Sequence, residues 1–162
     1  MHSLSPDALT TFWDLARRSS PDLPAQPPPP DRVWGFGATP AHADTLLRLV
    51  LEGTKTGTSG SLWDYRAAGE EVTRVGDLDV ILDGAGLPRA VIRTVAVEIV
   101  PFGEVSAAHA RAEGEDDRSL RSWRRTHQDF FTRYARHDRG FSAHMPVVCE
   151  RFELVFPRPA PR

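Results

Sequence analysis

Six of the chain's 14 prolines fall within ten residues, between Pro21 and Pro30. No regular helix or central strand survives that density, because each proline fixes φ and removes a backbone donor. Residues 19–33 are therefore expected to form an extended strap with polyproline character, wrapped on the body of the protein instead of linking two domains. The preceding segment reads as a helix from Pro6 to Arg18. Ser5 is a natural N-cap, Pro6 suits the first helical position, and Leu9, Phe12, Trp13 and Ala16 share a face. The whole chain has 162 residues, room for one ordinary domain. The expected organisation is an N-terminal helix and proline-rich arm over 1–33, a domain over 34–156 and a tail over 157–162.

Within that domain, Thr39-Pro40 opens a second helix with Leu46, Leu47, Val50 and Leu51 toward the core and Gly53 as its left-handed stop. Ser61 to Ala68 reads as one or two helical turns. Val80–Leu82 and Ala90–Ile99 read as a strand pair joined through Asp83-Gly84-Ala85-Gly86. Glu104 to Ala110 is a short helical stretch leading to the acidic loop Glu113-Gly114-Glu115-Asp116-Asp117. Ser119 to Arg136 is a longer cationic helix, on which Leu120, Trp123, His127, Phe130, Phe131 and Tyr134 recur at helical spacing. Val147 to Phe156 is a final strand. Strands and helices without βαβ alternation predict an α+β fold, a small curved sheet or barrel with helices around it.

Charge is unevenly placed along the chain. Residues 1–117 carry a balance of −8, residues 118–139 carry seven arginines against Asp129 and Asp138, and the whole chain sums to −2. A local basic segment of this kind is how a small domain attracts phosphate, although a solvated helix face has the same composition. Of the 20 basic residues only Lys55 is a lysine. Arginine keeps its proton in proteins whereas a desolvated lysine becomes a base or nucleophile, so a lysine retained alone points to a chemical requirement. It stands in Gly53-Thr54-Lys55-Thr56-Gly57-Thr58-Ser59-Gly60-Ser61, dense in hydroxyls and glycine. The plain alternatives are a solvated turn lysine and Thr58 as an N-cap for the segment from Ser61.

Several classes are excluded or disfavoured. No stretch approaches the apolar length of a membrane span, and the first residues lack a basic segment leading into an apolar run, so a cytoplasmic protein without membrane contact is expected. Cys149 is the single cysteine, which rules out an intrachain disulfide and a multi-thiolate zinc site and makes a disulfide-linked partner unexpected; in a strand it reads as a small buried hydrophobe. The lysine segment lacks the Walker order. His109 and Glu113 have i, i+4 spacing but no H-E-x-x-H, so neither a metal nor any other cofactor is expected. His127 reads as a core-edge histidine or a cleft wall, and Trp63 and Tyr65 as core residues or base-stacking rings.

Trp34-Gly35-Phe36-Gly37, Leu49-Val50-Leu51-Glu52-Gly53-Thr54-Lys55-Thr56-Gly57-Thr58, Val75-Gly76-Asp77, His109-Ala110 with Glu113-Gly114-Glu115, Ser119-Leu120 with Trp123-Arg124 and His127, and Val148-Cys149-Glu150-Arg151-Phe152 occur in that order. Together they resemble the longer branch of the ASCH domain family, of the PUA-like superfamily, from about Trp34 to Phe156. The resemblance implies a small PUA-like β-barrel with flanking helices, a cleft beside the lysine segment and an RNA, nucleoside or nucleotide partner. Small relatives remove the acetyl group of N4-acetylcytidine, and ribonuclease activity is attributed to longer members. The implied catalytic residues are Lys55, Thr58 and Glu113: the lysine withdraws the threonine proton and the glutamate shuttles protons to the leaving amine. Thr56, Trp63, Tyr65, Glu115, Arg124 and His127 are the accompanying substrate-binding candidates. Short members place an arginine soon after the threonine, where this chain has Ser59-Gly60-Ser61; Arg124 is the candidate substitute. The resulting expectation is an RNA- or nucleoside-directed hydrolase. The alternatives are a non-catalytic RNA-binding domain and a regulatory interaction domain that uses the proline strap.

Overall fold

The computed structural model describes residues 4–159, so the last three residues of the expected tail lie outside it. The elements are α1 (Pro6–Ser19), β1 (Val33–Trp34), α2 (Pro40–Leu51), β2 (Gly57–Ser61), α3 (Leu62–Ala68), β3 (Leu78–Leu82), β4 (Pro88–Pro101), α4 (Ala107–Glu113), α5 (Leu120–Arg133) and β5 (Pro146–Phe156), with single 3-10 turns at Pro30–Arg32 and Phe102–Glu104. The strands form one mixed, five-stranded sheet in the order β1-β3-β4-β5-β2. β1 runs parallel to β3. β3 and β4 are antiparallel, as are β2 and β5. The α+β class holds, and of the curved sheet or barrel expected from the sequence the structure has an open sheet, with β1 and β2 at its edges, where the family resemblance implied a barrel. Among the described residues no helix is long and apolar enough to cross a membrane.

The helix starts follow their capping chemistry. Ser5, Thr39, Ser106 and Ser119 each accept a backbone N–H from the first turn of α1, α2, α4 and α5 respectively, satisfying donors that have no intrahelical partner. The cap of α3 is Ser61, so Thr58 does not play that part. Thr58 lies instead inside β2, a strand that its glycine- and serine-rich sequence does not announce. Pairing with β5 over Gly57↔Arg151 to Ser61↔Val147 creates it, a case of tertiary context overriding strand propensity.

Two compact units divide the chain. One takes residues up to Thr54, Gly76–Arg93 and the segment from Glu153; the other takes Lys55–Val75 and Thr94–Phe152. In the first, Phe12, Trp13 and Ala16 of α1 pack with Leu23, Val80 and Val91. The Trp13 indole donates to the Pro24 carbonyl at 2.8 Å, pinning the proline strap. In the second, Phe102, Val105, Ala110, Trp123, Phe131, Met145, Val147 and Cys149 form the core. Phe130 and Tyr134, expected on the apolar face of the basic helix, are left 37% and 50% exposed.

Candidate functional site

The second unit carries a buried ionic cluster assembled from three places in the sequence. Lys55 enters it just before β2. The next residue, Thr56, is clamped there: its N–H donates to the Ala112 carbonyl at 2.7 Å and its own carbonyl accepts from Phe152 N–H at 3.0 Å. The Thr56 hydroxyl also reaches the Ala112 carbonyl, at 3.4 Å. Gly57 is needed for this approach. A Cβ there would lie 3.1 Å from the Glu150 carbonyl oxygen and 3.3 Å from Ala112 Cβ, tighter than packing tolerates without displacement.

Lys55 is 2% exposed and Glu113 1%. The three ammonium hydrogens have three acceptors: the Gly57 carbonyl at 2.9 Å, the Glu113 carbonyl at 3.3 Å and Glu115 Oε2 at 3.2 Å. Glu113 Oε1 lies 3.7 Å from Nζ. Glu113 is the last residue of α4, one turn after His109, so the i, i+4 pair shares a face. Its Oε2 accepts from the Ser59 hydroxyl at 2.5 Å, from His109 Nε2 at 2.9 Å and from the Trp123 indole. Its Oε1 accepts from His127 Nε2 at 3.2 Å. Trp123 and His127 form a second i, i+4 pair, on α5, with rings stacked at 4.2 Å and 14°.

The hydrogen bonds assign the protons. Arg151 Nε donates to His109 Nδ1 at 3.4 Å, so the ring proton of His109 lies on Nε2, facing Ser59 and Glu113. His127 Nδ1 faces the Trp123 carbonyl at 2.8 Å and its Nε2 faces a carboxylate. The Thr126 hydroxyl, 3.3 Å from Nδ1, turns its own hydrogen to helix carbonyls, so the ring's partners accept, which favours hydrogen on both nitrogens and the imidazolium form. Burial opposes that charge, and the Glu113 carboxylate, with Glu115 behind it, outweighs burial and raises the His127 pKa above its usual 6.5. Burial likewise opposes ionisation of Glu113, but the His127 charge, the two histidine hydrogen bonds and Lys55 hold its carboxyl well below the usual range. Two cations thus balance two carboxylates, Glu113 and Glu115.

Two familiar chemistries do not fit this arrangement. A serine triad needs the histidine between hydroxyl and carboxylate, one on each nitrogen; His109 uses Nε2 for both and turns Nδ1 to an arginine. Ligand atoms of Glu113, Glu115 and His127 lie within 4.8 Å of one another, the span of a metal site. The Lys55 ammonium is already 3.2 and 3.7 Å from those carboxylates, and His127 Nε2 is a donor, so the set is neutralised without a metal ion. Cys149 is also unsuited to attack, because burial, reinforced by the Glu113 charge, pushes its thiol up to about 12.

The structure thus brings Lys55, Glu113, Glu115 and His127 together. Thr58 points to the opposite face of β2, since side chains alternate along a strand, and the hydroxyl at Glu113 belongs to Ser59. Ser59 is legible only once β2 is known to be a strand. His109 and Trp123 were visible as i, i+4 partners of Glu113 and His127, but not as donors to one carboxylate. Arg124 donates to the Gly103 carbonyl at 2.8 Å, holding α5 to the segment after β4. Trp63 packs on the core, its ring edge-on to His137 at 5.1 Å with the Arg139 guanidinium above it. Tyr65 lies over Gly60.

A mixed, open five-stranded sheet with flanking helices is an α+β fold that matches ASCH domain structures, and the ASCH domain family has a PUA-like fold associated with RNA binding. Residues 32–156 match the model of the ASCH domain, and the chain belongs to that family. Protein EF3133 from Enterococcus faecalis is similar in structure with a TM-score of 0.80 and 33% identity, over 94% of this chain and 92% of that one. An ASCH domain from Lactobacillus crispatus gives a TM-score of 0.78 and 25% identity, over 92% and 94%. No curated protein matches the sequence.

Proposed function

We propose that the protein is a nucleoside- or RNA-directed hydrolase that cleaves an amide on a nucleobase, with Lys55 and Glu113 as the ionic core of its site. The observation that carries this reading is the single lysine of the chain, desolvated against two carboxylates. Burying such a pair costs several kcal/mol per ion before its hydrogen bonds offset it, an expense typical of functional sites. The charge pattern favours an amide over a phosphodiester. Every proton of Lys55 and His127 is committed to an acceptor, their two charges are balanced by Glu113 and Glu115, the Arg151 guanidinium is turned to His109, and the group nearest solvent is a carboxylate, Glu115, with its side chain 22% exposed. A phosphate finds no cationic cradle there.

In the proposed reaction Glu115 accepts a proton from water as the water oxygen bonds to the acyl carbon. Lys55 holds that carboxylate in place through its 3.2 Å bond to Oε2. The C–N bond then breaks, and the proton passes to the leaving amine, giving a carboxylic acid and the free base.

Purified protein incubated with N4-acetylcytidine, and separately with single-stranded RNA, tests this by chromatography of the products. Deacetylation is expected, falling roughly 100- to 10,000-fold in Glu115→Gln and lost in Lys55→Arg. Thr58→Ala should keep its activity, because that hydroxyl points away from the cluster. RNA cleavage without deacetylation, or deacetylation unchanged in Lys55→Arg, would overturn the proposal. Salt-dependent RNA binding without turnover of either substrate would favour a non-catalytic reader, for which the seven arginines of 118–139 are the supporting observation.

A further inference from the structure

Helix α5 and the residue that caps its C-terminus carry four rings at i, i+4, i+7 and i+11: Trp123, His127, Phe130 and Tyr134. At 100° per residue this spacing sets them on one narrow stripe. The first two are stacked against each other inside the ionic cluster. The last two contact each other at 5.1 Å but are left exposed, although a stripe of this composition belongs to a core. The stripe thus begins at the site and emerges into solvent.

We infer that Phe130 and Tyr134 are a stacking platform for the bases that neighbour the one in the site, so that the protein takes a single-stranded oligonucleotide in preference to a free nucleoside. This rests on the reading of the cluster as a nucleobase site and extends it along α5. Tyr134 lies seven residues beyond His127, about 10.5 Å along the axis, which is the length of about three nucleotide steps at roughly 3.4 Å each. Aromatic faces accept any base, and charge supplies the backbone contacts. The surrounding segment has seven arginines against two aspartates. Arg133, between the two rings in sequence, forms an exposed ion pair with Asp129 at 3.0 Å, a contact worth little in water and readily exchanged for a phosphate.

Fluorescence anisotropy with fluorescein-labelled oligocytidylates of one, four and eight nucleotides tests the platform without requiring turnover. Affinity is expected to rise from one nucleotide to four and then level off. Phe130→Ala and Tyr134→Ala should each weaken tetramer binding roughly 5- to 150-fold while leaving the single nucleotide unaffected. Tyr134→Phe should bind as wild type, and Arg133→Gln should lower the slope of log affinity against log salt by about one. Both rings are exposed, so the circular dichroism of the variants should be unchanged. Tetramer binding by the alanine variants equal to wild type would overturn the inference. So would a wild-type dimer in sedimentation that Tyr134→Ala dissociates, since a second copy of the chain would then be what covers the rings. Absence of deacetylation in the earlier assay would sink the hydrolase reading and leave this measurement to be judged by itself.

Discussion

Glu113→Gln removes one charge and almost no volume, which makes it a clean probe of the cluster. In the wild type this carboxylate accepts four hydrogen bonds, from Ser59, His109, Trp123 and His127, and faces Lys55 at 3.7 Å. A glutamine offers one oxygen and one NH2, so at least one of those donors meets another donor, and Lys55 and His127 lose a counter-charge. Removing one partner of a buried pair costs about 3–5 kcal/mol. For a chain of this size each kcal/mol moves Tm by roughly 2–4 °C, so thermal unfolding followed by circular dichroism should show a drop of about 6–20 °C. Lys55→Met should be comparably destabilising. The double variant should lose less than the sum of the singles, because it removes both charges at once. NMR titration of the His127 ring should show its pKa fall in Glu113→Gln, since that carboxylate is the leading cause of its elevation. A Tm shift below about 2 °C, or full additivity in the double variant, would refute the coupled buried pair.

The pH dependence of stability follows from the same groups. Glu113 is held low, so its contribution is complete above the ordinary value of 4.5 and is lost as pH falls through its depressed folded pKa. His127 is held high, so its contribution is complete below 6.5 and is lost as pH rises through its elevated folded pKa. Urea midpoints should therefore be highest between about 4.5 and 6.5 for this pair and decline on both sides, with both limbs reduced in Glu113→Gln. Gly57→Ala places a methyl 3.1 Å from the Glu150 carbonyl oxygen and should cost about 1–3 kcal/mol in urea unfolding; a neutral effect would show that β2 approaches β5 and α4 less closely. Iodoacetamide should label Cys149 in the native protein only at the rate of global opening, because its thiol is buried and raised to about 12. Labelling as fast as in denaturant would contradict that burial.

Where a structural choice depended on residues within one turn of each other, it was readable. The Ser5, Thr39 and Ser119 caps, the Gly53 stop at φ 82°, the β3–β4 pair and the long β5 all follow from local chemistry. So do the two i, i+4 pairs of the site. Glu113 was read as the start of an acidic loop and is instead the last residue of α4, a boundary decided by Gly114 in the left-handed conformation at φ 74°. The strand β2 was not readable, because Gly-Thr-Ser-Gly-Ser has no alternating apolar pattern and owes its extension to β5, some ninety residues away.

The sequence by itself determined the helices, the longer strands, the α+β class and the oddity of a solitary lysine, because caps, periodicity and composition act over a few residues. Only the tertiary structure decided that Lys55 is desolvated against Glu113, that Ser59 and not Thr58 meets that carboxylate, and that Phe130 and Tyr134 stay in solvent. Burial and strand pairing depend on which distant segments arrive at the same place, and local pattern carries no record of that.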